Sequence, residues 1–175
     1  MIKLIKPYIS FNEVKSEFED IFASGWFTKG RFVEEFRNEI KNYTGAKYAY
    51  LTTSATTALT MALKVLDIKA GDEVIVSDFS FPATSNVVED IGAVPIFADV
   101  SLETYNMLPS ELENKITDKT KAVVFVDALG NPSGIHEIQE ICKKYNLPLI
   151  EDGACAIGSG EKSVKTGNIA DITCF

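Results

Sequence analysis

The chain has 175 residues, with 17 Lys and Arg against 25 Asp and Glu, which gives a formal net charge of −8. Its 46% hydrophobic and 24% charged residues are typical of a globular protein and exclude a disordered or low-complexity chain. No apolar run reaches the roughly 18 residues of a membrane-spanning helix. The acidic balance without a Lys/Arg block argues against nucleic acid or an anionic membrane as a partner.

The N-terminal sequence Met1–Pro7 has no long apolar stretch followed by a small-residue cleavage site, so we expect no signal peptide. The three cysteines, at 142, 155 and 174, form no CxxC pair, and a single His could join them. A zinc site is therefore not expected. The odd count favours reduced thiols and a cytoplasmic protein, with Cys142 and Cys174 as buried small hydrophobes.

Two amphipathic helices are predicted near the start of the chain. The first begins at a capping-box pattern, Ser10–Glu13, and carries apolar residues at helical spacing. A loop bracketed by Gly25 and Gly30 follows it. The second helix continues from Phe32 to Ile40, and Gly45 lies shortly beyond.

After residue 47 the pattern changes to short apolar runs that alternate with helical segments. Helices are predicted at about 55–66, 82–91, 109–116 and 133–145. The runs predict strands, several of them buried on both faces, at Tyr48–Leu51, Glu73–Ser77, Pro95–Ala98, Ala122–Val126, Leu147–Ile150 and Asp171–Phe175. This alternation indicates an α/β fold, with a mainly parallel sheet in three α/β/α layers and right-handed crossovers.

Ligands of such a sheet bind at the carboxyl ends of its strands, so the residues after each run are informative. Five of the six residues in the stretch 52–57 that opens the third helix, all but Ala55, carry hydroxyl groups. Hydroxyls and free N–H groups at a helix N-terminus favour a phosphate site. The alternative, ordinary capping by one Ser or Thr, explains one hydroxyl rather than five.

Two further strand ends carry aromatic or acidic residues. Phe79 and Phe81 follow the second run, and from the residues alone the hydrophobic core is favoured for each of them. Glu151 and Asp152 follow the Leu147–Ile150 run, where a carboxylate needs a cation or several donors. Capping of the following segment would explain one of the two acids, but pairing with a protonated ring nitrogen explains it better. His136 is expected at a surface or half-buried position on a helix.

Together these pieces resemble the sugar-nucleotide aminotransferases of the DegT/DnrJ/StrS family, which are fold-type I enzymes using pyridoxal 5′-phosphate (PLP). The order and spacing of the blocks make the resemblance specific. The matching stretches are Gly25-Trp26 with Gly30 and Glu35-Phe36, then 43–48, 54–59, 70–76, 80–84, 92–95 with Asp99, 151–159 and 170–175.

The resemblance implies a role for six residues in binding the cofactor. Ala55, Thr56 and Thr57 match the phosphate-binding turn of the family. Phe81 matches the aromatic residue that stacks on the pyridine ring, which reverses the preference for the core. Asp152 matches the carboxylate paired with the pyridinium nitrogen, which keeps PLP an electron sink. Cys155 stands where many relatives have Gln, and the sequence Asp127–Gly130 replaces a frequent His-Leu-Tyr-Gly.

The resemblance also implies that part of the family's machinery is missing. The lysine that forms the Schiff base with PLP would come just beyond Phe175, so no catalytic residue is assigned within the chain. We expect residues 1–30 to form an N-terminal helical segment and substrate-side loop. Residues 31–175 would be an incomplete large domain like that of aspartate aminotransferase, without the C-terminal small domain.

For the complete protein the resemblance implies transamination between an amino acid, most often glutamate, and a nucleotide-linked keto-sugar in amino-sugar biosynthesis. A homodimer is expected, and the 175-residue chain alone is not expected to turn over. Three alternatives stay open. They are a PLP-dependent sugar dehydratase or deoxygenase, a non-catalytic truncated product or interaction module, and another fold-type I enzyme, against which the Gly25-Trp26 and Ser80-Phe81 blocks speak.

Overall fold

The computed structural model describes residues 8–175. Met1–Pro7 lies outside the described residues, and so do the signal-peptide prediction made there and the start of the predicted segment 1–30. The helices are α1 (Phe11–Ser24), α2 (Arg31–Thr44), α3 (Ala55–Val65), α4 (Ala83–Asp90), α5 (Pro109–Lys115) and α6 (Ile135–Tyr145). The strands are β1 (Glu73–Ser77), β2 (Val94–Ala98), β3 (Thr120–Val126), β4 (Leu149–Asp152), β5 (Gly160–Glu161), β6 (Val164–Lys165) and β7 (Ile172–Cys174).

Five strands form one sheet in the order β2-β1-β3-β4-β7, and every neighbouring pair is parallel. The last residues of adjacent strands pair with one another: Ser77 with Ala98, Val126 with Asp152, and Asp152 with Cys174. The segments that follow these strands therefore meet along one side of the sheet, which we call the carboxyl edge. The predicted parallel sheet is confirmed.

Helices cover both faces of the sheet because residues along each strand point alternately to the two sides. On one face, Val74 and Val76 of β1 pack with buried residues of α3 and α4. On the other face, Ile75 of β1 and Phe125 of β3 pack with buried residues of α5 and α6. The result is the expected three-layer α/β/α arrangement, with two apolar layers that each exclude water.

The N-terminal helices form where the sequence predicts them, but α1 has no buried residue, and Phe18 and Phe22 on its apolar stripe are exposed. The predicted capping box is wrong in detail, because Ser10 caps α1 without a side-chain hydrogen bond. Its carbonyl oxygen accepts from the Glu13 N–H instead, at 3.1 Å. Within residues 8–175, no helix has both the length and the apolarity needed to cross a membrane.

The predicted strand at Tyr48–Leu51 does not form, and Tyr48 and Tyr50 are largely exposed. A strand needs a neighbour that pairs with its backbone groups, and in the described part of the chain none lies beside this run. The other predicted runs form β1, β2, β3, β4 and β7, with bounds shifted by a few residues.

Candidate functional site

The residues singled out in the sequence lie in segments that meet at the carboxyl edge. Ala55, Thr56 and Thr57 form the first turn of α3, and Phe81 lies just before Pro82, the N-cap of α4. Asp152 is the last residue of β4, and Cys155 lies in the loop that follows it. The two helices pack against each other on one face of the sheet, and α3 also contacts β4.

The N-terminus of α3 is shaped by Ser54, whose extended backbone lies at φ −167° and ψ 161°. The Ser54 hydroxyl accepts a hydrogen bond from the Thr57 N–H at 3.1 Å, so Ser54 is the N-cap. In an α-helix the N–H groups of the first residues have no intrahelical acceptor. Those of Ala55 and Thr56 therefore point out of the helix end, where the helix dipole favours an anion.

The remaining hydroxyl groups of this stretch cluster around the same turn. The Thr57 hydroxyl lies 3.2 Å from that of Thr53 and 3.1 Å from that of Ser54. The Thr52 hydroxyl donates to the Ser54 carbonyl at 2.9 Å. Ordinary capping explains Ser54 alone, and the Thr56 side chain is exposed.

The aromatic residues after β1 are not part of the core, contrary to what their residue types suggest. Phe79 is 45% exposed and packs against Tyr105, with 5.2 Å between the ring centroids. Phe81 is 76% exposed. These residues follow the last position of β1, beyond the point where the covering helices exclude water. The exposed ring of Phe81 is therefore available to a ligand.

Asp152 is buried and held by a chain of hydroxyl groups from the start of α4. The Thr84 hydroxyl donates to Oδ2 of Asp152 at 2.7 Å. Because Thr84 gives its proton to the carboxylate, the Ser80 hydroxyl, 2.6 Å away, donates to Oγ1 of Thr84. The Ala154 N–H approaches Oδ1 at 3.3 Å. Sequence reasoning missed Thr84, because nothing local links it to a residue so distant in the chain.

Two further carboxyl groups lie beside Asp152. Asp127 follows β3, and Glu151 precedes Asp152 in β4; both are buried. Burial, followed by the charge of Glu151, raises the pKa of Asp127 to about 8. Burial likewise raises the pKa of Glu151.

The loop after β3 is fixed by Asn106, a buried residue that sequence reasoning also missed. Its side-chain amide donates to the carbonyls of Asn131 and Ser133, at 2.7 and 2.8 Å. Its side-chain oxygen accepts from the Ala128 N–H at 3.1 Å. Asn106 therefore sets the path of the segment that borders the carboxyl edge.

The cysteines differ in their environment, as the sequence predicts. Cys142 and Cys174 are buried, and burial raises the pKa of each thiol to about 12. Cys155 is exposed. Its carbonyl lies so close to Gly130 that a Cβ there would approach the oxygen to 2.8 Å, and Gly130 has φ +83°. Only glycine fits this position without strain.

Three lysines, Lys121, Lys162 and Lys165, have partners of their own. Lys162 and Lys165 belong to the β5–β6 hairpin, where Lys162 pairs with Glu137 at 2.9 Å. Lys165 donates to the Tyr43 carbonyl at 2.6 Å. Lys121 donates to the Asp118 carbonyl at 3.3 Å. Among residues 8–175, no group of three or more His, Cys, Asp or Glu side chains could hold a metal ion, and His136 is half-buried on α6, as predicted.

Comparison with known proteins identifies the family. A sequence model of the DegT/DnrJ/EryC1/StrS aminotransferase family matches residues 9–175. A GDP-perosamine synthase from Vibrio cholerae is 34% identical over 176 residues, covering 100% of this chain and 48% of the relative.

Solved structures agree with this match. The aminotransferase TlmJ from Streptoalloteichus hindustanus superposes with a TM-score of 0.91 at 29% identity, covering 99% of this chain and 47% of TlmJ. NtdA from Bacillus subtilis with bound cofactor PMP gives a TM-score of 0.87 at 34% identity, covering 94% and 38%. The chain thus spans about half the length of these proteins, or less. It belongs to the DegT/DnrJ/EryC1/StrS aminotransferase family.

Proposed function

We propose that this chain forms the PLP-binding part of an aminotransferase that moves an amino group from an amino acid, glutamate, to a nucleotide-linked keto-sugar. Aminotransferases of this family are PLP-dependent. The observation that carries the proposal is the buried carboxylate of Asp152, fixed by Thr84 on the same sheet edge as the open N-terminus of α3. An anion-binding turn and a buried carboxylate are the two polar groups that a pyridine ring with a phosphate needs.

The phosphate end fits the first turn of α3. The N–H groups of Ala55 and Thr56 are directed out of the helix, and the Thr56 hydroxyl is exposed beside them. We assign phosphate binding to Ala55 and Thr56 through these groups and to Thr57 through its hydroxyl, since the Thr57 N–H donates to Ser54. The helix dipole adds an attraction for a dianion that needs no lysine or arginine.

The ring end fits Phe81 and Asp152. We propose that the exposed ring of Phe81 stacks on the pyridine and that Asp152 holds the proton on the ring nitrogen. When bound, PLP supplies an electron sink for the carbanion formed at the substrate carbon. Asp152 is suited to its task because Thr84 fixes one carboxylate oxygen, so the side chain is oriented before the cofactor arrives.

Cys155 is assigned a packing contact beside the cofactor, because a thiol is a weak hydrogen-bond donor.

The substrate side is assigned to residues 1–30, and the PLP-binding domain to residues 31–175. We also propose that the complete enzyme is a homodimer.

The proton transfers of transamination are assigned to the lysine that the family resemblance implies beyond Phe175. Lys121, Lys162 and Lys165 contact Asp118, Glu137 and Tyr43 instead, none of which is assigned to the cofactor. The chain alone is then expected to bind PLP reversibly and to show no turnover with glutamate and a keto-sugar nucleotide. Measurable turnover by the purified chain would contradict this assignment.

Cofactor binding is tested by titrating the purified protein with PLP and following the absorption of the cofactor. Asp152→Asn is expected to raise the Kd about 10- to 150-fold, since a hydrogen bond to a charged group contributes about 1.5–3 kcal/mol. The matched control is Asp78→Asn, which removes an exposed carboxylate directly after β1 on the same edge. Equal affinities of the Asp152→Asn variant and the wild type would overturn the proposed site.

A further inference from the structure

Asp127 and Glu151 form a pair of buried acids that cofactor binding does not use. Asp127 is 2% exposed and Glu151 is 0% exposed. Consecutive residues of a strand point to opposite faces of a sheet. Asp152 faces α4, where Thr84 holds it, so Glu151 points to the other face, together with Phe125 and Asp127.

In each acid of this pair, one carboxyl oxygen accepts hydrogen bonds and the other accepts none from the described residues. Oδ2 of Asp127 accepts from the Thr166 hydroxyl at 3.3 Å. Oε2 of Glu151 accepts from the Thr173 hydroxyl at 2.6 Å and from the Gly167 N–H at 3.2 Å. Oδ1 of Asp127 and Oε1 of Glu151 are buried and receive no donor from the described residues. A buried carboxylate oxygen without a donor is costly, and here there are two.

The titratable groups beside the pair do not offset the negative charge of two carboxylates. On β4 the neighbouring titratable group is Asp152, which adds negative charge, and on β7 it is the buried thiol of Cys174. Lys165, the last residue of β6, directs its ammonium to the Tyr43 carbonyl. Within residues 8–175, neither acid forms an ion pair with a cationic side chain.

Helix α6 covers this face, and the titratable side chains at its N-terminal end have partners other than the pair. His136 approaches the carbonyl of Glu161, at 3.5 Å, and Glu137 pairs with Lys162. Titratable groups of α6 at its N-terminal end are thus directed to the β5–β6 hairpin. A single proton held between the two carboxyl groups would satisfy both orphaned oxygens at once.

We propose that Asp127 and Glu151 share one proton between Oδ1 and Oε1, and that this proton is a pH-sensitive clamp joining β3 to β4 behind Asp152. The clamp converts two orphaned oxygens into one hydrogen bond, in which one carboxyl donates and the other accepts. It also limits the number of negative charges buried at the carboxyl edge.

The pH window follows from the raised pKa of Asp127, about 8, against an ordinary value of 3.8. Between these values the folded protein keeps a proton that the unfolded chain releases. The free energy of unfolding therefore falls as the pH rises from about 4 to about 8 and levels off above that range. The clamp contributes its full stability at the acidic end of the window.

The direct test is infrared spectroscopy of the purified protein, which separates protonated carboxyl groups from carboxylates. At pH 7 the wild type is expected to show a protonated-carboxyl band that disappears on titration through about pH 8. Asp127→Asn and Glu151→Gln should each remove the band, because an amide donates to the remaining carboxylate. The matched controls Asp90→Asn and Glu89→Gln, both exposed on α4, should keep it. Absence of the band from the wild type at pH 7 would overturn the proposal.

Thermal unfolding gives a second readout. The Tm of Asp127→Asn, relative to the wild type, should rise steadily between pH 5 and 8, while that of Asp90→Asn should run parallel to the wild type. A parallel course for Asp127→Asn would contradict the clamp. So would a Tm of the wild type that Mg²⁺ or Ca²⁺ raises and a chelator lowers, since a cation would then hold the pair. If the variants fail to fold, the infrared titration of the wild type decides.

Discussion

The hydroxyl of Thr84 lies 2.7 Å from Oδ2 of Asp152, and this hydrogen bond joins the first turn of α4 to the end of β4 across 68 positions of sequence. Ser80 donates to Thr84 in turn, so the proton positions along the chain are fixed. Within residues 8–175 the carboxylate is held in one orientation without a cationic partner. Oδ1 of Asp152, which receives from the described part of the chain only the long contact of the Ala154 N–H, is the oxygen left for a ligand.

Thr84→Val is therefore expected to weaken PLP binding about tenfold and to destabilise the fold. Valine has the shape of threonine but leaves Oδ2 of Asp152 buried without its donor, at a cost of about 1–3 kcal/mol. Thr84→Ser keeps the hydroxyl and should restore most of the affinity. The measurements are a PLP titration and a thermal unfolding curve for each variant.

The control for this series is Ser85→Ala, which removes a hydroxyl bonded to the Pro82 carbonyl in the same turn. It should leave PLP affinity unchanged. If Thr84→Val binds PLP as the wild type does, the hydroxyl of Thr84 does not position Asp152 for the cofactor.

A second prediction concerns a backbone donor. Ala55→Pro removes the N–H of the first residue of α3, a position where proline is well tolerated. The extended backbone of Ser54 also suits a residue that precedes proline. Tm should stay close to that of the wild type, whereas affinity for PLP and for inorganic phosphate should fall several-fold. An unchanged phosphate affinity would show that the N–H of Ala55 does not contribute to phosphate binding.

The sequence predicts the parallel sheet because its buried strands are nearly all apolar, and it predicts the depth of Asp152 because that residue ends such a run. It does not predict Thr84 or Asn106, since each acts on a segment far away in the chain. The strand predicted at Tyr48–Leu51 does not form, for a similar reason. Apolar residues indicate what can be buried, but only the folded chain decides whether a partner strand is present.

Asn106 offers a test of how the carboxyl edge is held. Asn106→Asp keeps the acceptor for the Ala128 N–H but replaces two N–H donors by a carboxylate oxygen facing the carbonyls of Asn131 and Ser133. We expect a loss of about 2–4 kcal/mol in the free energy of unfolding, because two partly buried carbonyls lose their donor and face a carboxylate instead. Denaturant unfolding measures the loss. Asn86→Asp, on the exposed side of α4, is the control, and equal losses in the two variants would contradict the role of Asn106.

The cysteines give a final prediction, about which thiol reacts in the folded protein. Thiolates react with alkylating reagents, and burial raises the pKa of Cys142 and Cys174 to about 12, so both should stay unmodified in the folded protein at pH 8. Cys155 is exposed and should be the thiol that reacts. Mass spectrometry of digested protein identifies the labelled residue, and Cys155→Ser should abolish rapid labelling. Saturating PLP should slow the reaction if Cys155 packs beside the cofactor, whereas an unchanged rate would place the cofactor away from this loop.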